Sequence, residues 1–166
     1  LAGASLCGGK AYALLEKFFR EFVKEATGQE KPLYKTLEKL AGDGKAFCTG
    51  RENRKKLQIE TTFDGTRVHP EQTGSIANLS TDNFTPAAFV YGTLEGMSRE
   101  LYQMYQTIQN GTGMQIKYMI GSGNGLRKNP VLCEIVEEMF GAKLVLAECE
   151  EEAATGAALS SMQQDE

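Results

Sequence analysis

The sequence has little of what several kinds of site require. It contains one histidine, His69, and its four cysteines include no CxxC pair, which disfavours a tetrahedral zinc site. A disulfide framework belongs to smaller secreted chains, so we expect four reduced thiols in a cytoplasmic protein and no metal ligands. No run approaches 18 uninterrupted apolar residues and no signal peptide is visible, so we expect no membrane span.

Basic residues are also too few for a nucleic-acid surface. The chain has 18 lysines and arginines against 22 acidic residues, for a formal net charge of -4. Nucleic-acid-binding domains usually carry a clustered basic face, so we expect no such partner. The one basic run, Arg51–Lys56, fits a solvated loop better than a phosphate-binding patch.

Length and composition indicate one soluble globular domain. The chain has 166 residues, of which 41% are hydrophobic and 24% charged. It begins at Leu1 rather than at a methionine. We expect it to be a piece of a longer protein.

The first third is predicted to be helical. After Gly8-Gly9, apolar residues recur every three or four positions, and Gly28 suits a helix end. A shorter helix is predicted from Pro32 to Leu40, followed by a glycine-rich, charged loop from Ala41 to Lys56. The first helix should bury one broad stripe, made of Ala11, Leu14, Leu15, Phe18, Phe19, Phe22 and Val23.

The middle third changes from period two to helical spacing. Alternation from Leu57 to Phe63 predicts a strand that ends in a turn at Asp64-Gly65. Thr73 to Leu79 reads as a short strand or extended link. Pro86 suits a first helical turn, and a helix continues to Asn110-Gly111.

The last third has the order strand, glycine-rich loop, helix, strand and helix. Two consecutive strands joined by a helix imply a parallel α/β layer with ligands at the carboxyl ends of the strands. The first strand is almost continuously apolar, which predicts a sheet covered on both faces. The segments are Ile116–Ile120, Gly121–Gly125, Pro130–Phe140, Lys143–Ala147 and Glu150–Ser161.

The loop Gly121-Ser122-Gly123-Asn124-Gly125 is the most informative motif, but two common nucleotide fingerprints do not match it. The dinucleotide motif G-x-G-x-x-G requires glycine where this chain has Leu126, and no segment supplies a P-loop. Glycine lets a flat or charged ligand approach the main chain closely. By itself the loop fits a ligand site and a simple tight turn equally well.

The order of motifs along nearly the whole chain resembles the FGGY carbohydrate kinases. The C-terminal match consists of Gly121 through Pro130, Glu134 to Gly141, and Glu152 to Leu159. The upstream match consists of Gly8-Gly9, Asp64-Gly65-Thr66-Arg67, Gly74-x-Ile76 and Leu94-Glu95-Gly96-Met97. Within that family, the run from Gly121 through Leu146 is most similar to sedoheptulokinase, which phosphorylates the ketose sedoheptulose.

The resemblance implies an α/β fold of the actin-like ATPase, or ribonuclease H-like, class, with a mixed sheet flanked by helices. Residues 1–166 would form the C-terminal, ATP-binding domain, incomplete at its N-terminus. The N-terminal domain, which binds the sugar and holds the catalytic carboxylate, would be absent. ATP, Mg²⁺ and a ketose are therefore the ligands expected of a full-length protein, and oligomeric state stays open.

The resemblance also implies which residues contact the nucleotide. Gly121, Ser122, Gly123 and Asn124 match the adenosine motif, and Lys128 and Asn129 lie where a side chain often reaches the purine. Gly8 matches a glycine near the phosphates, and Tyr12 lies where relatives often have a polar nucleotide contact. The small-residue patch Gly156-Ala157-Ala158 is interpreted as helix packing.

Several departures from the family pattern bear on activity. The usual Gly-Gly-Gly-Ala reads Gly121-Ser122-Gly123-Asn124 here, and Val90-Tyr91-Gly92 lacks the arginine of many relatives. The phosphate turn that opens this domain in the family should lie upstream of Leu1. Phosphoryl transfer depends on positioned Mg²⁺ and a base, and the acidic run Glu148–Glu152 fits a helix cap better than a metal site. We therefore expect no sugar phosphorylation by these 166 residues alone.

Two other classes of function fit the same residues. One is a non-catalytic regulatory or scaffolding domain with an actin-like fold, which Asn124 and the missing phosphate turn would suit. The other is an unrelated small-molecule binder that uses the glycine loop for a different ligand.

Overall fold

The computed structural model describes residues 8–50 and 55–148, and these divide between Met114 and Gln115 into two compact units, unit 1 and unit 2 in chain order. Unit 1 contains helices α1, α2 and α3 and strands β1 and β2, whereas unit 2 contains strands β3 and β4 and helices α4 and α5. Their bounds in chain order are α1 Gly8–Thr27, α2 Tyr34–Thr49, β1 Gln58–Glu60, β2 Ser75–Ala77, α3 Pro86–Thr112, β3 Tyr118–Gly121, α4 Asn124–Arg127, α5 Pro130–Phe140 and β4 Lys143–Leu146.

Helix α1 forms where the sequence predicts it, but its apolar stripe is not buried. Gly28 ends the helix at φ +70°, and its amide donates to the Lys24 carbonyl at 2.8 Å. Of the stripe, Ala11 is buried, whereas Phe18 and Phe22 are 65% and 71% exposed. The expectation of a broad buried stripe is therefore wrong within unit 1.

The buried side of α1 includes a glutamate that does not belong to the apolar stripe. Glu16 is buried, and its Oε1 accepts the Leu33 amide at 3.0 Å. Its Oε2 accepts from Arg20 Nε at 3.3 Å, which supplies the opposite charge that a buried carboxylate requires. The turn between α1 and α2 is thus tied to this side of α1.

Helix α2 is longer than predicted and includes most of the residues expected to form a loop. It extends to Thr49, past two interior glycines that have different surroundings. Gly42 is exposed, whereas a Cβ on buried Gly44 would lie 2.4 Å from the Ala87 carbonyl oxygen and 2.6 Å from Tyr91 Cβ. Gly44 therefore permits a close α2–α3 approach, and the packing offsets the low helix propensity of glycine.

Strands β1 and β2 pair antiparallel, with Ile59 opposite Ile76. Leu57, Ile59 and Thr61 are buried, as the alternation predicts, whereas Phe63, the last member of the pattern, is 39% exposed. The strand ends earlier than expected because the chain turns at Thr61, whose carbonyl accepts the Phe63 amide at 2.8 Å. The predicted turn at Asp64-Gly65 is confirmed by φ +72° at Gly65.

Helix α3 is the central element of unit 1. Thr85 caps it by accepting the Ala88 amide, Pro86 occupies its first turn, and Gly113 ends it in the left-handed conformation. Its packing against β1 requires glycine, since a Cβ at Gly96 would lie 2.2 Å from the Ile59 carbonyl oxygen. The core residues here are Leu57, Ile59, Ala88, Val90, Tyr91 and Leu94.

Unit 2 confirms the predicted parallel order of strand, helix and strand. Tyr118 pairs with Lys143 and Gly121 with Leu146, and α5 covers the pair with Leu132, Ile135 and Val136. The expectation that the sheet is covered on both faces is not met by the described residues, since Ile120 is 81% exposed. In the described part of the chain the strands form one antiparallel and one parallel pair.

Some sequence predictions fall outside the described residues. These are the helix Glu150–Ser161, the patch Gly156–Ala158 within it, Arg51–Arg54 of the basic run, and Cys7 and Cys149. Cys48 and Cys133 are half-buried cysteines. None of the helices in the described ranges is long and apolar enough to cross a membrane.

Candidate functional site

The glycine-rich loop lies at the carboxyl end of the parallel β3–β4 pair. Strand β3 ends at Gly121, Ser122 and Gly123 make the turn, and α4 begins at Asn124. Ser122, Asn124 and Gly125 are exposed. Loops at this end of parallel strands are where ligands of α/β proteins bind, so the predicted position of the motif is confirmed within unit 2.

The three glycines of the loop have three different roles. Gly123 has φ 91° and ψ 157°, a backbone region that essentially only glycine occupies. Gly121 is buried, and a Cβ there would lie 2.8 Å from Leu126 Cδ1 and 2.9 Å from Leu144 Cδ1. A Cβ at Gly125 would meet nothing within 4 Å. Only Gly123 is thus required by its conformation.

Open space adjoins the exposed part of this loop. A Cβ at Gly123 would also meet nothing within 4 Å, so both Gly123 and Gly125 leave their surroundings free. Gly121, in contrast, faces the leucines inside the unit. A ligand that used close approach to glycine backbone would therefore meet Gly123 and Gly125, and Gly121 would act by letting the loop pack.

Backbone hydrogen bonds hold the short helix α4 against the start of α5. The Arg127 amide donates to the Gly123 carbonyl at 3.2 Å, and the Lys128 amide donates to the Asn124 carbonyl at 3.1 Å. The Asn129 amide donates to the Leu126 carbonyl at 3.2 Å. The segment is consequently a compact turn whose carbonyls are largely committed.

Lys128 and Asn129 are the two residues predicted to reach the purine, and they differ in burial and in hydrogen bonding. Asn129 is buried and caps α5, where its Oδ1 accepts the Leu132 amide at 3.1 Å. Lys128 is exposed immediately before it. The structure thus gives Asn129 a structural role, and leaves Lys128 as the side chain with access to a ligand.

Two residues of α5 that were not predicted as site residues hold neighbouring parts of unit 2, Cys133 the segment after the loop and Glu137 strand β4. Cys133 Sγ donates to the Leu126 carbonyl at 3.2 Å, and Glu137 Oε1 accepts the Leu144 amide at 2.8 Å. Burial raises the pKa of the Cys133 thiol, and the Glu137 carboxylate raises it further. Cys133 therefore remains a protonated donor at neutral pH. In the sequence, the available signal for these two roles was that Cys133 and Glu137 lie one turn apart on the predicted helix.

The other two predicted nucleotide contacts lie in unit 1. Gly8 is the first residue of α1. Tyr12 follows one turn later, where its half-buried ring packs at a tilt on the Tyr34 ring, with centroids 6.2 Å apart. The six remaining predicted site residues, Gly121 to Asn124 with Lys128 and Asn129, are together in unit 2.

Metal-binding chemistry has no visible basis in the described ranges. Among residues 8–50 and 55–148, no three histidine, cysteine, aspartate or glutamate side chains are grouped so that they could hold an ion. Most of the acidic run Glu148–Glu152 lies outside those ranges. Asp64, a predicted turn residue, pairs with Lys10 at 2.6 Å.

Comparison with family models gives one match over almost the whole chain. The model described as the FGGY family of carbohydrate kinases, C-terminal domain, matches residues 1–163. A comparison with curated proteins found no match.

Solved structures show the same relationship at the level of the fold. The xylulose kinase from Bifidobacterium adolescentis matches 91% of this chain at 19% identity with a TM-score of 0.65. The xylulose kinase from Rhodospirillum rubrum matches 83% at 19% identity with a TM-score of 0.63. The glycerol kinase from Plasmodium falciparum, solved with ADP, matches 76% at 18% identity with a TM-score of 0.57.

These matches confirm the predicted α/β, actin-like ATPase fold. The matched region is 26%, 25% and 25% of the three kinase chains, in the order given above. The present chain therefore spans about a quarter of the length of the solved structures that it matches.

Proposed function

Since the chain belongs to the FGGY family of carbohydrate kinases, as a C-terminal domain, we propose that it is the ATP-binding part of an ATP-dependent sugar kinase. The observation that carries the proposal is the loop after β3. Gly123 holds a conformation that requires glycine, the space beside it is open, and it lies at the ligand-binding end of a parallel strand pair.

In this proposal the loop receives the adenosine of ATP. Gly121 to Asn124 form the turn, the exposed Ser122 and Asn124 offer polar groups to the ligand, and Lys128 reaches the purine. Asn129, whose Oδ1 caps α5, is likewise proposed to contact the nucleotide. In the full-length kinase, Gly8 is proposed to lie near the phosphates, and Tyr12 to make a polar contact with the nucleotide.

Mg²⁺ is proposed to accompany ATP in the full-length kinase. It would neutralise charge that develops on the transferred phosphoryl group. By the family resemblance, the catalytic carboxylate is proposed to lie in the N-terminal domain of the full-length kinase. We therefore expect these 166 residues to be inactive alone.

The proposed sugar is a ketose, sedoheptulose, phosphorylated to sedoheptulose 7-phosphate. This choice depends on the similarity of Gly121 through Leu146 to sedoheptulokinase. The structures matched here are named as kinases of other substrates, among them xylulose, glycerol and gluconate. An ADP-coupled assay of the full-length kinase with sedoheptulose, xylulose, gluconate and glycerol tests it, since preference for another substrate would overturn it.

The nucleotide assignment is tested by comparing two lysines at opposite ends of the strand pair. Lys128 follows the loop at the carboxyl end, whereas Lys117 precedes β3 at the amino end, and both are exposed. Lys128→Ala should weaken ATP binding by the full-length kinase about two- to fivefold, since an exposed charge contact contributes about 0.5–1 kcal/mol. Lys117→Ala should leave it unchanged.

Calorimetry with ATP and Mg²⁺ gives the readout. Equal effects of the two substitutions would contradict the placement of the purine beside Lys128. Absence of ATP binding by the unsubstituted full-length protein would overturn the kinase proposal and favour the non-catalytic actin-like domain.

A further inference from the structure

Two asparagines of the chain are followed directly by glycine. They are Asn110, before Gly111 in unit 1, and Asn124, before Gly125 in unit 2. The backbone nitrogen that follows an asparagine can attack the carbon of its side-chain amide and expel ammonia, which is the route of spontaneous deamidation. Glycine favours this attack because it has no Cβ beside the reacting nitrogen. The sequence alone therefore gives both asparagines the same chemistry.

The side chains of the two asparagines have similar surroundings. Both Asn110 and Asn124 are exposed. Within the described ranges neither side chain makes a hydrogen bond. Neither side-chain amide therefore has to leave a partner before it reacts, and a difference between the two sites must come from the backbone.

The backbone amides that would attack are in different states. Gly111 lies inside α3, so its amide donates to the carbonyl of Thr107, four residues earlier. Gly125 is the second residue of α4, where a helix has no carbonyl of its own for the amide. Among residues 8–50 and 55–148, no group accepts the Gly125 amide. The attacking nitrogen is thus occupied after Asn110 and available after Asn124.

The turn around Asn124 also opens more easily than α3. Ring closure requires the Asn124 backbone to rotate out of its helical conformation. Helix α4 has four residues, and a single turn of helix is marginal without neighbouring turns. A Cβ at Gly125 would meet no atom within 4 Å, so the space beside the reacting bond is open. Helix α3, in contrast, has 27 residues.

We propose that Asn124 is a site of spontaneous deamidation. The Gly125 nitrogen loses its proton to solvent and forms a bond to Asn124 Cγ. The bond from Cγ to Nδ2 breaks, and this nitrogen takes up a proton and leaves as ammonia. Water then opens the resulting succinimide ring at one of its two carbonyls. The product is aspartate or isoaspartate, and in either case a neutral amide has become a carboxylate.

The new carboxylate would change the loop that is proposed to receive the adenosine of ATP. This consequence rests on the proposed function, whereas the reaction itself does not. Since ATP is negatively charged, a carboxylate at position 124 should weaken its binding. Bound ATP should in turn restrict the backbone of the loop and slow the reaction.

The reaction is tested by incubating this chain at neutral pH and following both asparagines by mass spectrometry of peptides. Asn124 should be converted about three- to tenfold faster than Asn110, the factor that one helical hydrogen bond contributes. In urea, where both helices are unfolded, the two rates should converge because both asparagines precede glycine. Equal rates in the folded chain, or a faster rate at Asn110, would overturn the proposal.

Two matched substitutions identify the attacking nitrogen. Gly125→Ala should slow conversion of Asn124 and leave Asn110 unchanged, because a Cβ obstructs the attack. Gly111→Ala should do the opposite. The rate at Asn124 should also rise with pH, since the nitrogen attacks after losing its proton. A rate that ignores both pH and Gly125→Ala would indicate direct hydrolysis of the side chain and overturn the proposed step.

The full-length kinase tests the consequence for ATP. Asn124→Asp should weaken ATP binding about two- to fivefold, as expected for one exposed charge, whereas Asn110→Asp should leave it unchanged. Saturating ATP with Mg²⁺ should slow conversion of Asn124 but not of Asn110. Faster conversion of Asn124 that neither responds to ATP nor affects its binding would overturn the adenosine assignment alone. A kinase that binds ATP but converts Asn124 no faster than Asn110 would overturn the deamidation site alone.

Discussion

The glycines inside the helices of unit 1 and the glycine at the turn of unit 2 serve different purposes. In unit 1 the critical glycines are inside helices, where Gly44 and Gly96 let a helix approach neighbouring backbone. In unit 2 the critical glycine is in a turn, where Gly123 adopts a conformation closed to other residues and has open space beside it. Gly44 and Gly96 of unit 1 therefore serve packing, whereas Gly123 of unit 2 serves chain direction and access.

The two units also differ in how deeply two of their large apolar residues are buried. Leu94 of α3 in unit 1 is completely buried, whereas Ile120 of β3 in unit 2 is 81% exposed. Unit 1 has a helix-centred core, whereas the buried apolar residues of unit 2 come mainly from α5, namely Leu132, Ile135 and Val136. Each of the following substitutions tests one side of this comparison.

The largest effect is expected from the core of unit 1. Leu94→Ala should lower the free energy of unfolding by about 2–5 kcal/mol, because it removes buried methyl groups and leaves a cavity. Ile120→Ala should change it by less than about 0.5 kcal/mol, as for other exposed positions. Urea unfolding of the 166-residue chain measures both, and similar losses would refute the contrast in burial.

The helical glycines should give the next largest difference. Gly44→Ala should destabilise the chain by about 1–3 kcal/mol, because the new Cβ would overlap Ala87 and Tyr91. Gly42→Ala, two residues earlier in α2, should be neutral or stabilise by up to about 1 kcal/mol through helix propensity. Thermal unfolding distinguishes them, and a stabilising Gly44→Ala would show that α2 and α3 are not in close contact.

In unit 2, alanine substitutions at two loop glycines should differ in effect because of backbone conformation, and not because of steric overlap. Gly123→Ala should cost about 1–3 kcal/mol of strain, since alanine rarely occupies its backbone region. Gly125→Ala should be tolerated, because its Cβ meets no atom within 4 Å. Hydrogen exchange of the amides in α4 and α5 reports the change, and comparable exchange in both variants would contradict the turn geometry.

The smallest effect is expected at the cap of α5. Asn129→Ala should lower stability by about 0.5–2 kcal/mol, because the Leu132 amide loses its acceptor. Asn129→Asp keeps an acceptor and should retain most of the stability. Calorimetric unfolding compares the two, and an equal loss for both would show that the amide group matters in some way besides capping.

Much of the fold was predictable because local rules agree along most of the chain. Helix α5 has the predicted bounds exactly, since Pro130 favours its first turn and Gly141 ends it in the left-handed conformation. The end of α2 was not predictable from local rules. Gly42 and Gly44 both disfavour a helix locally, and only contact with α3 makes the helix at Gly44 favourable.

The candidate site was predictable in position but not in the division of roles. The apolar strand before the loop and the proline after it located the turn. The three glycines looked alike in sequence, yet only Gly123 has a positive φ among them. Asn129, predicted to contact the nucleotide, is in addition a buried helix cap, which the sequence analysis did not predict.

The sequence by itself determined the elements whose signals are local, namely helix ends, the parallel strand order and the carboxyl-end position of the glycine loop. The sequence also identified the family, because the ordered motifs span the chain. Tertiary structure alone decided which apolar residues are buried, as the exposed stripe of α1 shows. Periodicity defines a face of a helix, but burial depends on which atoms from distant parts of the chain come to cover that face.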